Sequence, residues 1–147
     1  MATGGYVSDL EVGDQIGPIE YTMSRFVIRE YAHANELHHD FLQGIDQIAP
    51  PTLVHLDKLR LYRHACPKGT GPHARIHYEY DATIHGEIRP GDRLSVSGRV
   101  TERYQKRGRD YVVMEIELRS ADDNRLLIAY RDTSIMAYGS AEDRERA

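Results

Sequence analysis

The chain has 147 residues, of which 40% are hydrophobic and 29% charged, and its formal net charge is −4. That balance describes an ordered globule with enough apolar material for a real core, and it excludes a disordered chain. With no basic face in an acidic chain, no nucleic-acid partner is expected; the densest basic run, Arg103 to Arg109, reads as a solvated turn between strands.

The single cysteine, Cys66, rules out an internal disulfide and suits a reducing compartment. Followed by Pro67 and Gly69, it reads as a buried thiol at a helix end rather than a nucleophile. The N-terminus lacks a basic-then-apolar leader and no apolar run reaches membrane-spanning length, so a cytoplasmic location without a membrane partner is expected.

Residues Met1–Asp14 read as a loose lead-in, and a short strand follows through Ile16–Tyr21. Thr22 or Ser24 caps a helix whose apolar stripe is Phe26, Val27, Tyr31 and Ala34. Pro50–Pro51–Thr52 starts a second helix with Leu53, Leu56, Leu59 and Tyr62 at helical spacing, widened by Val54, Leu61 and Ala65. The pattern then changes to alternation. Ala74, Ile76, Tyr78, Tyr80, Ala82 and Ile84 form one face of a long strand, with His77 on the polar face. Pro90–Gly91–Asp92 turns the chain into a strand from Leu94 to Val100. Strands at Val112–Leu118 and Leu126–Ala137 flank a turn at Asp122–Asn124, and Ser140–Ala147 is a charged tail. One α+β domain over residues 1–147 follows, an antiparallel sheet wrapped around one long helix.

The densest collection of reactive groups is Arg29–Asp40, which holds His33, Asn35, Glu36, His38, His39 and Asp40 at the end of the first helix. Imidazole and carboxylate are good ligands for zinc or iron, but this spacing matches no helical two-histidine motif, so no metal is expected. His39 reads as a surface residue, and His55 and His64 as ordinary residues of the long helix.

The stretch resembles the MaoC-like enoyl-thioester hydratases and dehydratases, whose signature runs Gly-Asp-x-Asn-Pro-x-His-x-Asp. Laid on Ala32–Asp40, it matches Asn35, His38 and Asp40, while Ala32, His33 and Glu36 replace the glycine, aspartate and proline. Ala49–Pro50–Pro51–Thr52 resembles the entry to that family's central helix. His77–Tyr80, Arg89–Leu94 and Arg103–Val113 resemble its strand, turn and hairpin, and the similarity runs from Ile16 to Ala137, closest to the N-terminal dehydratase-like subgroup.

The resemblance implies a hotdog fold and acid–base conversion between a 2-enoyl and a 3-hydroxyacyl thioester, on coenzyme A or an acyl carrier protein, with no cofactor. It assigns His38 as acid or base and Asn35 as a group that orients the water or steadies the loop, with Asp40 at the substrate. The thioester oxygen would meet peptide N–H groups at Leu53, Val54 or His55, where a helix start favours negative charge. His33 stands where the family has its aspartate, and a neutral imidazole there can accept a proton from water. The alternatives are a non-catalytic acyl-binding subunit of a heteromeric dehydratase, or a hotdog enzyme turned to other chemistry on a specialised metabolite. A homodimer, or a heterodimer with another hotdog chain, is expected.

Overall fold

A computed structural model describes residues 6–39, 47–68 and 74–138. The chain forms β1 (Gln15–Thr22), α1 (Arg25–Ala34), α2 (His55–Ala65), β2 (Ala74–Ile84), β3 (Arg93–Lys106), β4 (Arg109–Ser120) and β5 (Leu126–Tyr138). Short 3-10 turns at Val7–Asp9 and Pro51–Val54 precede β1 and α2. The five strands make one antiparallel sheet in the order β1-β3-β4-β5-β2. This is the expected α+β hotdog arrangement, a sheet curled around α2.

Local chemistry explains the boundaries. Ser24 caps α1, its Oγ accepting the Val27 N–H at 3.0 Å, which decides between the two caps the sequence offers. Pro51 opens the turn before α2, where a missing N–H loses nothing. Arg107 and Gly108, both at positive φ, close the β3–β4 hairpin tightly, matching the twist of its strands. In the resulting register Val96 faces Leu118, Gly98 faces Ile116 and Val100 faces Met114 in the core. At Gly98 a Cβ would lie 2.6 Å from Met114 Sδ and 3.0 Å from Leu61 Cδ1, so glycine is what lets α2 press onto β3.

Five expectations change. On α1 the buried residues are Ile28 and Ala32, one turn apart, while Phe26 and Ala34 are exposed. On α2 the buried face is Leu53, Val54, Asp57, Lys58, Leu61 and Tyr62, and Leu56 and Leu59 point outward. Counting only apolar residues picked a neighbouring face, because the face that meets the sheet carries two charges. The lead-in is docked from Val7 to Leu10: both are buried, and Arg103 Nη1 donates to the Ser8 and Leu10 carbonyls. Arg103 is therefore a clamp on that segment rather than part of a solvated turn. In β2, register shifts at Ala74/Ile76 and His77/Glu79 break the alternation. Tyr78 and Ile84 are left exposed, and His77 reaches Asp132 of β5. Residues Asp40–Asp46, the Gly69–Pro72 loop, His73 and the charged tail lie outside the described residues.

Candidate active site

Two contacts mark the start of α2, one made from α1 by Tyr31 and one made from β2 by His77 and Tyr80. From α1, the Tyr31 hydroxyl donates to Thr52 Oγ1 at 2.7 Å, tying the last turns of that helix to the turn that precedes α2. The polar stretch then leaves α1 through a complete left-handed cap. Leu37 N–H donates to Ala32 O at 2.8 Å and Glu36 N–H to His33 O at 3.1 Å, with Glu36 at φ 54. A proline, which the family signature has at this position, cannot take positive φ or supply that N–H. The departure at Glu36 therefore changes the backbone and not only the side chain.

The candidate residues sit as follows. His33, Asn35 and His38 are all exposed. The Asn35 amide is already engaged, Nδ2 donating to Tyr31 O at 2.9 Å, so it steadies the helix end. Asp40 lies outside the described residues. Leu53 and Val54 bury their side chains in the core, while His55 is half-buried at the first position of α2. Leu53 N–H donates to Pro50 O and His55 N–H to Thr52 O within the 3-10 turn. These peptide dipoles still point their positive ends toward the helix entrance, where anionic charge is favoured.

A second cluster was not singled out from the sequence. Lys58 Nζ and Asp132 Oδ1 form an ion pair at 2.9 Å, with side chains 6% and 0% exposed. His77 Nε2 lies 3.1 Å from the same carboxylate oxygen and 3.2 Å from Glu79 O, while Ser134 Oγ donates to Asp132 Oδ2 at 3.1 Å. The His55 ring stands 5.3 Å from that of His77 and 4.2 Å from that of Tyr80. Burial, and then the neighbouring His77 and Lys58, hold His55 below its ordinary pKa, so it is a neutral imidazole near pH 7. Burial pushes the Tyr80 phenol up to about 12 and the Tyr62 phenol higher still, with the Asp132 charge adding to both.

The other charge on the buried face of α2, Asp57, points the opposite way, toward β1. The Tyr21 hydroxyl hydrogen-bonds its carboxylate, and Arg60 lies 4.0 Å from it while covering the Tyr21 ring at 3.9 Å. Burial pushes Asp57 up to about 6 in spite of both partners. A sequence signal for these clusters does exist. The helix-facing positions of β5 read Ile128, Tyr130, Asp132, Ser134 and Met136, polar in the middle of an apolar row, opposite Lys58 on α2.

On the outer side of α2, Leu56 and Leu59 line an open groove of about 550 Å³ with Val7, Arg63, Cys66 and Arg75. Among the described residues no group of three or more His, Cys, Asp or Glu is placed to hold a metal ion, and no helix is long and apolar enough to cross a membrane.

Comparison with known proteins gives a consistent answer. The family model described as FAS1-like, dehydratase domain region, matches residues 11–129. Among solved structures, the monoamine oxidase regulatory protein of Archaeoglobus fulgius is similar at 15% identity and TM-score 0.72, covering 92% of this chain and 95% of that one. The HadBC (3R-hydroxyacyl-ACP dehydratase) complex of Mycobacterium tuberculosis is similar at 20% identity and TM-score 0.70, over 84% of this chain and 96% of that one. The R-hydratase PhaJ1 of Pseudomonas aeruginosa is similar at 16% identity and TM-score 0.69, over 92% and 86%. No curated protein matches the chain.

Proposed function

The chain belongs to the FAS1-like dehydratase-region family, of MaoC-like hotdog fold, and from that premise we propose that it interconverts a 2-enoyl thioester and a 3-hydroxyacyl thioester by acid–base catalysis. The carrier is coenzyme A or an acyl carrier protein, and no redox cofactor or metal takes part. The observation that carries this reading is the meeting of α1, the 3-10 turn and β2 at the start of α2. The Tyr31–Thr52 hydrogen bond and the His55–His77–Tyr80 cluster both lie there.

In this reading the thioester carbonyl lies against the peptide dipoles of Leu53, Val54 and His55, which offset the charge that builds on its oxygen as water adds to the β-carbon. His38 moves the proton, and Asn35 and the left-handed cap at Glu36 hold the segment that carries it. His33, in the position of the family aspartate, is a second acceptor for a proton from water, and Asp40 contacts the substrate. The exposed Leu56–Leu59 face and its groove offer apolar surface for an acyl chain.

The exposure of His33 and His38 in a lone chain fits a site completed across a subunit boundary. β2 is an edge strand with Tyr78 and Ile84 uncovered, so the second subunit pairs there, as a second copy or as another hotdog chain. The replaced aspartate at His33, and the likeness to a two-component complex, favour the second reading, an acyl-binding subunit whose partner catalyses. Following the absorbance of 2-enoyl-CoA thioesters separates the two. Decay with the purified chain alone supports the enzyme, and decay only after a second hotdog chain is added supports the partner.

A further inference from the structure

The sequence resemblance leaves the water-activating carboxylate unfilled, since His33 stands in its place, yet the fold has a carboxylate–imidazole pair elsewhere. His77 Nε2 faces two acceptors, Asp132 Oδ1 at 3.1 Å and Glu79 O at 3.2 Å. Neither can donate: one is a carboxylate ion-paired to Lys58, the other a peptide carbonyl. The ring proton therefore resides on Nε2, and the lone pair on Nδ1. A buried carboxylate fixing the tautomer of an imidazole, with the opposite nitrogen free, is the arrangement by which proteins make a general base. Asp132 is itself held in place, by Lys58 on Oδ1 and by Ser134 on Oδ2, so its direction is set by two side chains other than His77. The His77 side chain is 37% exposed, enough to meet a substrate, and its ring is 5.3 Å from the ring of His55 at the first residue of α2.

We propose that His77, oriented by Asp132, is the general base of this chain for water addition to a 2-enoyl thioester; this rests on the hydratase reading above. Nδ1 takes a proton from water as the water oxygen bonds to the β-carbon. The C=C electron pair moves to the α-carbon and thioester oxygen, giving an enolate against the start of α2. The proton on Nδ1 then passes by way of His38 to the α-carbon, completing the addition of one water and leaving both imidazoles neutral; dehydration runs the same steps backward. The groups facing this imidazole are Asp132 and Ser134 from β5, Lys58 and His55 from α2, and Tyr80 from β2 itself. Asp132 and Lys58 are the ion pair, while His55 and Tyr80 are neutral near pH 7.

The test uses the full chain with crotonyl-CoA and longer straight-chain 2-enoyl-CoA thioesters. His77→Gln is the informative variant, because the glutamine amide keeps an N–H donor for Asp132 and Glu79 O and has no basic nitrogen. The expected result is a loss of about 10²–10⁴-fold in kcat with little change in KM, together with loss of the acidic limb of the wild-type pH profile. Histidine ¹⁵N resonances of the unliganded wild type should show His77 protonated at Nε2 and bare at Nδ1 at neutral pH. An active wild type with an equally active His77→Gln variant, or an Nδ1–H tautomer, overturns the inference alone. A wild type inert toward every thioester overturns it together with the hydratase reading.

Discussion

Lys58 and Asp132, 74 residues apart in sequence, meet as an ion pair at 2.9 Å beneath α2, where the helix crosses β5. The pair sits among buried apolar side chains, with Leu61 one turn along the helix and Tyr130 and Met136 nearby on the strand. Two charges taken from water need excellent partners to be tolerated, and these have them: Ser134 and His77 complete the carboxylate's hydrogen bonds.

The pair makes an asymmetric demand on stability. Removing one member, as in Lys58→Met or Asp132→Leu, leaves the other charge buried and should lower unfolding free energy by about 3–5 kcal/mol. Replacing both, as Lys58→Met with Asp132→Leu, should recover most of that loss. Urea denaturation of the four proteins gives the coupling directly. Single variants within about 0.5 kcal/mol of wild type would show that the pair is solvated rather than buried.

Asp57 gives a pH signature of the opposite kind from an ordinary surface carboxylate. Burial raises it from 3.8 to about 6, so the folded state prefers it protonated. Its contribution is fully present below pH 3.8 and is lost as pH rises through 6. An Asp57→Asn variant, which carries no charge to desolvate, should gain on wild type across that window, by about 3 kcal/mol at the upper end. Thermal melts of both proteins at pH 4 and pH 7 check this. A difference between them that does not change with pH would contradict it.

Glu36 occupies the left-handed position that ends α1, with φ 54. Glycine adopts that conformation without the steric penalty an L side chain carries, so Glu36→Gly should stabilise the fold by up to about 1 kcal/mol. Glu36→Pro, which restores the residue of the family signature, should destabilise it, because the ring removes the N–H given to His33 O and forbids the dihedral. Denaturation midpoints of the two variants should move in opposite directions. A stabilised proline variant would mean that the segment can take another path.

The uncovered edge at β2 predicts association. Sedimentation equilibrium at micromolar concentration should give the mass of two chains, or of one chain joined to a different hotdog subunit when that is supplied. A mass of one chain throughout the accessible range would contradict pairing at that edge.

Much of this fold could be read from residues alone, because its signals are local. Period-two alternation located β3 and β4, Pro50–Pro51 located the start of the long helix, and Gly91, Asp122–Asn124 and Arg107–Gly108 fall at turns. Where the reading failed, the missing information was tertiary. The buried face of α2 contains Asp57 and Lys58, whose burial makes sense only once Tyr21 and Asp132 are known to lie opposite. The facing of His77 depends on a bulge in β2, and a one-residue slip moves every following side chain to the other face. The Ala32–Asp40 register was visible in sequence, but the left-handed cap that replaces its proline was not.

On the proposed function, a thioester hydratase site is built at the start of α2 and His38 carries its proton transfer. The most direct measurement is kcat/KM for hydration of 2-enoyl-CoA by the wild type and by His38→Ala, read from loss of the enoyl absorbance. Measurable wild-type turnover is expected, with a drop of about 10²–10⁴-fold in the variant and the fold unchanged by circular dichroism. A wild type that hydrates the thioester and a His38→Ala variant that does so equally well would contradict it.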